Sequence, residues 1–187
     1  MTDYVENCNS YVEKHIKNLP SQEFKPGKSW KDNSSALARW TQGKLLDRDD
    51  AYGYYYGTSE PYDGRRDAQS AKRDGKLSTT KLIEHYKGNG ERIGLYCYDI
   101  VGGGKWCCVD IDAHKEVLVD NWDDVVKICS ILDGFGIQPL IEHSNGKFGF
   151  HIWIIFTDKI DVAVLRSIVT YLIKDLTAKP EVFPKSR

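Results

Sequence analysis

Apolar positions recur with two different periods along this chain. Tyr4, Cys8, Tyr11, Val12, His15, Ile16 and Leu19 follow helical spacing and Pro20 closes the segment, which predicts an amphipathic helix. After a polar stretch with Pro26 and Gly27, Ser34 or Ser35 is placed to cap a second helix carrying Leu37 and Trp40. The aromatic run Tyr52 to Tyr56 and a turn-rich polar segment over 57–76 come next, and Ser78 or Thr79 opens a third helix presenting Leu82, Ile83 and Tyr86. From about Arg92 the period falls to two. A strand over 93–100, a turn at Gly102-Gly103-Gly104 and a strand over 106–112 predict a hairpin. Asp120 or Asn121 caps a helix with Trp122, Val125, Val126, Cys129 and Leu132 on one face, which Gly134 and Gly136 end. A strand over 137–142, a turn over 144–149, a strand over 150–156, a helix from Asp161 to about Lys179 and a short strand over 181–183 complete the order.

The expected fold class is α+β. Residues 1–91 are read as a mainly helical N-terminal region packing on the core, and residues 92–187 as a split βαββαβ core of the RNA-recognition or ferredoxin-like kind. In that arrangement the first and third strands are central, the fourth lies beside the first, and both helices cover one sheet face. Alternation then sends Cys107, Val109, Ile111, Phe150, Ile152 and Ile154 toward the helices. Trp106, Cys108, Asp110, Asp112, His151, Trp153, Glu181 and Phe183 fall on the open face, with Val182 buried.

Composition changes this picture little. The 187 residues carry 26 Lys plus Arg against 27 Asp plus Glu, a formal net charge of -1, so any nucleic-acid contact has to come from a local patch. One such patch is Arg65, Arg66, Lys72, Arg73 and Lys76, interleaved with Asp63, Asp67 and Asp74. The longest apolar run, Ile152 to Phe156, is too short to span a bilayer, and Asp3 and Glu6 stand where a signal peptide carries basic residues. The reading is a cytoplasmic protein with no membrane partner. Five cysteines without a C-x-x-C pattern argue against a disulfide framework and a zinc ribbon, leaving Cys107, Cys108, His114 and His143 as loose zinc candidates.

Two features carry candidate chemistry. Asp110 and Asp112 stand roughly 6 to 7 Å apart on one strand face. Such a pair either meets solvent at a strand end beside a Lys or Arg, or stays ionised by holding a cation, for which one Mg²⁺ or Mn²⁺ ion or a pair about 3.5 to 4 Å apart is the economical choice. The turn with Ser144, Asn145, Gly146, Lys147 and Gly149 leads into His151. It is either a hairpin turn chosen for its glycines or a cradle bringing backbone N–H groups, a hydroxyl and an ammonium to an anion.

In order, WCCVDIDAH (106–114), SNGKFGFHIW (144–153) and EVFPK (181–185) resemble the three motifs of archaeo-eukaryotic-type primase-polymerases, members of the primase catalytic domain superfamily. ERIGLYCYDI and ALARWTQGKLLDRDDAYGYYYG upstream look similar to the N-terminal part of such primases. The resemblance implies that Asp110, Asp112 and Glu181 are the catalytic, metal-binding acids of a two-metal Mg²⁺ or Mn²⁺ site. It implies that Ser144 and His151, with Lys147 beside them, bind the nucleotide triphosphate. The implied activity is metal-dependent, template-directed nucleotidyl transfer from nucleoside triphosphates to a primer 3′-hydroxyl, in DNA replication. The implied partners are nucleoside triphosphates, a DNA template and primer, and a helicase or further C-terminal domain. Family members continue past the third motif, so the core reads as truncated at its C-terminal end.

Two alternatives come from other classes. One is a noncatalytic single-stranded nucleic-acid-binding module stacking bases on Trp106, Trp153 and Phe183, against which the three acids on that face repel phosphate. The other is a metal-dependent nuclease or replication initiator, for which no activating Tyr or second His stands near the acids.

Overall fold

The structure, a computed structural model, describes residues 25–56, 69–112, 118–144, 149–177 and 179–185. The helix expected over 4–19 lies outside them. The described residues form a mixed α/β protein with four helices and two antiparallel sheets, divided by chain contacts into two units that meet in sequence at Val101 and Gly102.

The first unit contains α1 (Ser34–Lys44), β1 (Ala51–Tyr56), β2 (Gln69–Asp74), α2 (Thr79–Lys87) and β3 (Arg92–Gly94). Its described residues hold a three-stranded sheet in the order β2-β1-β3 alongside the two helices. β2 lies in the segment expected to be turns. Its sequence QSAKRD shows no apolar alternation because it is an edge strand, with Lys72 and Asp74 exposed and paired at 2.6 Å. The expected strand over 93–100 is only Arg92–Gly94, and it pairs with β1 through Tyr54 and Ile93. The predicted hairpin therefore does not form: β1 offers Ile93 an apolar cross-strand partner, and Asp99 and Gly102 interrupt the alternation before Trp106. Arg73 packs its guanidinium 4.3 Å from the Tyr54 ring centroid and pairs with Glu91 at 2.6 Å. Two members of the expected basic patch, Lys72 and Arg73, are thus engaged by carboxylates, and Arg65 and Arg66 lie outside the described residues.

Ala38, Tyr52, Leu77 and Leu82 make this unit's core. Tyr52 is fully buried, and its hydroxyl accepts a hydrogen bond from Lys81 Nζ at 2.6 Å. The N-cap of α1 is Asn33 rather than either serine. Its side chain turns back on the preceding loop, accepting from Lys25 N at 2.7 Å and donating to Lys25 O at 3.1 Å. Ser78 caps α2 as its sequence suggests, accepting from Lys81 N at 3.3 Å, and Gly88 ends the helix at φ +75°. Ser78→Ala should lower the stability of this unit by about 1 kcal/mol, read by chemical denaturation.

The second unit runs β4 (Gly103–Ile111), α3 (Leu118–Gly134), β5 (Leu140–Ser144), β6 (Gly149–Asp161), α4 (Val162–Ile173) and β7 (Glu181–Phe183). Its sheet has the order β5-β6-β4-β7, antiparallel throughout. Gly103 and Gly104 belong to β4 rather than to a turn, since they pair with Asp161 and Ile160 at the far end of the long β6. α3 starts at Leu118, ahead of the expected Asp120 or Asn121 cap, and Asn121 is buried within it. α4 is capped by Asp161, whose Oδ1 accepts from Ala163 N at 2.8 Å, and it ends at Ile173, short of Lys179.

One core serves both helices. Cys107, Val109 and Ile111 of β4 and Phe150, Ile152 and Ile154 of β6 pack with Trp122, Val125, Ile128, Cys129 and Leu132 of α3 and with Leu165, Val169 and Leu172 of α4. The two helices therefore share one sheet face. Complete burial of Ile152 or Leu165 stabilises the fold by roughly 1.5 to 3 kcal/mol each. Val182 packs against the same cluster from β7. Asp124, fully buried on α3, accepts from Lys127 Nζ at 3.0 Å and from Thr177 N at 3.2 Å, tying α3 to the segment after α4.

Candidate active site

With the apolar residues of β4 and β6 committed to the helices, their neighbours in sequence form cross-strand rows on the opposite face. One row crosses all four strands: Glu142 of β5 lies opposite His151 of β6, His151 opposite Asp110 of β4, and Asp110 opposite Glu181 of β7. Direct antiparallel partners have Cα atoms roughly 4.5 to 5.5 Å apart, so the side chains of this row are immediate neighbours. Three of its members are residues that sequence reasoning singled out.

Asp110 is mostly buried, and its Oδ1 has no hydrogen-bond partner. His151 Nε2 lies 3.4 Å from that oxygen, within ion-pair range but without the alignment of a hydrogen bond. On the other side of the ring, Nδ1 meets Glu142 Oε2 at 3.0 Å. Held between two carboxylates, His151 has its pKa raised from 6.5 to about 10, Asp110 contributing first and Glu142 second against the opposing effect of burial. The imidazolium then donates through Nδ1 to Glu142 and holds its Nε2 proton in ion-pair range of Asp110. We expect His151 to stay protonated through neutral pH in the metal-free protein, with its ring resonances titrating near pH 10 by NMR. The stability it contributes is present in full below about pH 6.5 and lost as the pH rises through about 10.

Glu181 is exposed on β7 and pairs with Lys185 Nζ at 2.8 Å. Asp112 follows the last residue of β4 and is exposed. Ser144 is the last residue of β5, its backbone paired with Gly149. Its side chain and all of Lys147 lie outside the described residues. Glu142 was given no role by sequence reasoning. The signal was available: closing the hairpin at Ser144 and Gly149 carries Glu142 opposite His151, on the side away from the core.

The next row is apolar. Trp153 and Phe183 flank Cys108 from both sides, and Trp106 packs its ring 5.0 Å from that of Trp153. Cys108 and Trp106 are therefore buried at 3% and 4% exposure, where the expectation was an open face. The small thiol is enclosed by two large cross-strand neighbours. Burial, with Asp110 and Glu142 nearby, pushes the Cys108 thiol well above its ordinary pKa. Cys107 points the other way into the core, so the two adjacent cysteines cannot share one ion.

Oxygen donors on neighbouring strands, one of them a buried carboxylate oxygen that accepts no hydrogen bond, suit a hard divalent cation. Among the described residues, no three acid, histidine or cysteine side chains converge tightly enough to hold an ion by themselves. Among the described residues no helix is long and apolar enough to cross a membrane.

A comparison with curated proteins gives no match. A family model described as "TOTE conflict system, Archaeo-Eukaryotic Primase domain" matches residues 51–185, more than two thirds of the chain, and spans every strand of the four-residue row. The chain belongs to this family of archaeo-eukaryotic primase domains.

Proposed function

We propose that the domain is a cytoplasmic, metal-dependent nucleotidyltransferase that extends a primer 3′-hydroxyl on a DNA template from nucleoside triphosphates. The observation that carries the reading is the register setting Asp110 between His151 and Glu181, which brings two carboxylates and an imidazole to one spot. The strand order β5-β6-β4-β7 with α3 and α4 on one face supports the split βαββαβ arrangement, in which such a row lies on the face away from the helices.

In this reading Asp110, Asp112 and Glu181 hold the divalent ions. When bound, such ions lower the pKa of the primer hydroxyl and neutralise the triphosphate in an in-line displacement. His151 offers an N–H to a phosphate oxygen, and Ser144 and Lys147, which precede β6 in sequence, add a hydroxyl and an ammonium. Their work is to position the triphosphate, since no covalent intermediate forms on the protein. The burial of Trp106 counts against the noncatalytic alternative, because a base cannot stack on an enclosed ring.

The test is incubation of the full chain with a primed DNA template, nucleoside triphosphates and Mg²⁺ or Mn²⁺. Products longer than the primer, lost on chelation, are expected. Intact primer under all metal and nucleotide conditions would sink the reading, and shortened primer would move it to the nuclease alternative.

A further inference from the structure

We infer that Glu142 is a positioning residue, fixing the His151 ring so that the opposite ring nitrogen is aimed along the row toward Asp110 and an incoming triphosphate. The substrate in this inference rests on the nucleotidyl-transfer reading; the rest comes from geometry. A single oxygen, Glu142 Oε2, accepts from two donors at once, His151 Nδ1 at 3.0 Å and Trp153 Nε1 at 3.0 Å. The second contact matters because a carboxylate on a free side chain could follow the imidazole wherever it turned. The Trp153 indole is itself held, its ring packed 5.0 Å from the enclosed Trp106. Glu142 is thereby pinned, and a pinned acceptor at Nδ1 sets the imidazole plane.

The Trp153 ring adds a second restraint. It meets the imidazole edge-on, at 6.2 Å between centroids and 89° between planes. Held at Nδ1 and bounded along one edge, the ring has Nε2 as its remaining polar atom, in ion-pair range at 3.4 Å from Asp110 Oδ1, which accepts no hydrogen bond. A nucleotide phosphate arriving there meets an N–H donor whose direction is already set, which avoids the cost of ordering it on binding. If Glu142 served only to staple β5 to β6, its loss would weaken folding and leave the folded protein's affinity for nucleotide unchanged.

The experiment measures binding of a non-hydrolysable nucleoside triphosphate with Mg²⁺, and separately of a single-stranded DNA oligonucleotide, to the full chain and its variants. Glu142→Ala should raise the nucleotide Kd about 10- to 100-fold and leave oligonucleotide binding unchanged, with the Trp153 indole N–H resonance shifted. Glu142→Gln, whose amide oxygen can accept both N–H groups, should recover most of the loss. A folded Glu142→Ala protein that binds nucleotide as the wild type does, or loses both ligands equally, overturns the inference. Should Glu142→Ala not fold, Glu142→Asp decides, because the shorter carboxylate cannot reach both donors: weakened nucleotide binding supports the role, and wild-type affinity overturns it. A wild-type protein that binds no nucleotide overturns the nucleotidyl-transfer reading and this inference together. Wild-type binding untouched by the Glu142 variants overturns the inference alone.

Discussion

Asp110→Ala should lower nucleotide incorporation by at least about 10³-fold, equivalent to roughly 4 kcal/mol of transition-state stabilisation, while the protein stays folded. The two halves of this expectation have separate causes. The activity loss follows from the place of Asp110 at the centre of the row, where it is the one acid adjacent to both His151 and Glu181. The fold survives because the side chain faces away from the core made by Val109 and Ile111, and because its Oδ1 is a buried oxygen without a hydrogen-bond partner. Removing such a group relieves a desolvation cost, which offsets the lost attraction to His151. Primer extension and thermal melting measured on the same preparation check both halves. Extension within tenfold of wild type by a folded variant would remove Asp110 from the chemistry.

His151→Ala is expected to weaken nucleoside triphosphate binding about 10- to 100-fold, the range for a hydrogen bond to a charged group at 1.5 to 3 kcal/mol, with template binding unchanged. The residue stands in β6 between Phe150 and Ile152, both fully buried, so its backbone is fixed by its neighbours and an alanine there leaves the strand in place. Without the imidazolium, Glu142 and Asp110 face one another across a gap, and an anionic ligand then meets carboxylates alone. Affinity for nucleotide and for primed template, measured separately by fluorescence anisotropy, distinguishes the roles. Equal loss of both would make His151 a structural residue.

The strand alternation of the second unit was legible because its buried face is almost purely apolar. Cys107, Val109, Ile111, Phe150, Ile152 and Ile154 leave no ambiguity of phase, and phase alone put Asp110 and His151 on the same side. What failed were positions where the deciding contact is remote in sequence. β2 reads as a polar loop until β1 supplies its pairing, and Ile93 reads as the start of a hairpin until Tyr54 is found across from it. Trp106 and Cys108 were expected on an open surface because alternation gives direction but says nothing of cross-strand neighbours large enough to enclose them. Glu142 was passed over for a related reason: a lone acid in a strand shows its use only once the partner it faces is known. The roles proposed for Asp112, Ser144 and Lys147 rest on the motif resemblance, since Lys147 and the Ser144 side chain lie outside the described residues and Asp112 follows the end of β4.

The pairing of Ser144 with Gly149 has an outcome for folding errors as well as for chemistry. If β6 slipped by one residue on its neighbours, every alternate side chain would exchange faces: His151 and Trp153 would turn toward α3 and α4, and Ile152 and Ile154 toward water. A misaligned molecule would thus lose the row of Glu142, His151, Asp110 and Glu181 and its core in the same event. A one-residue slip therefore cannot scramble the row and keep Ile152 and Ile154 in the core.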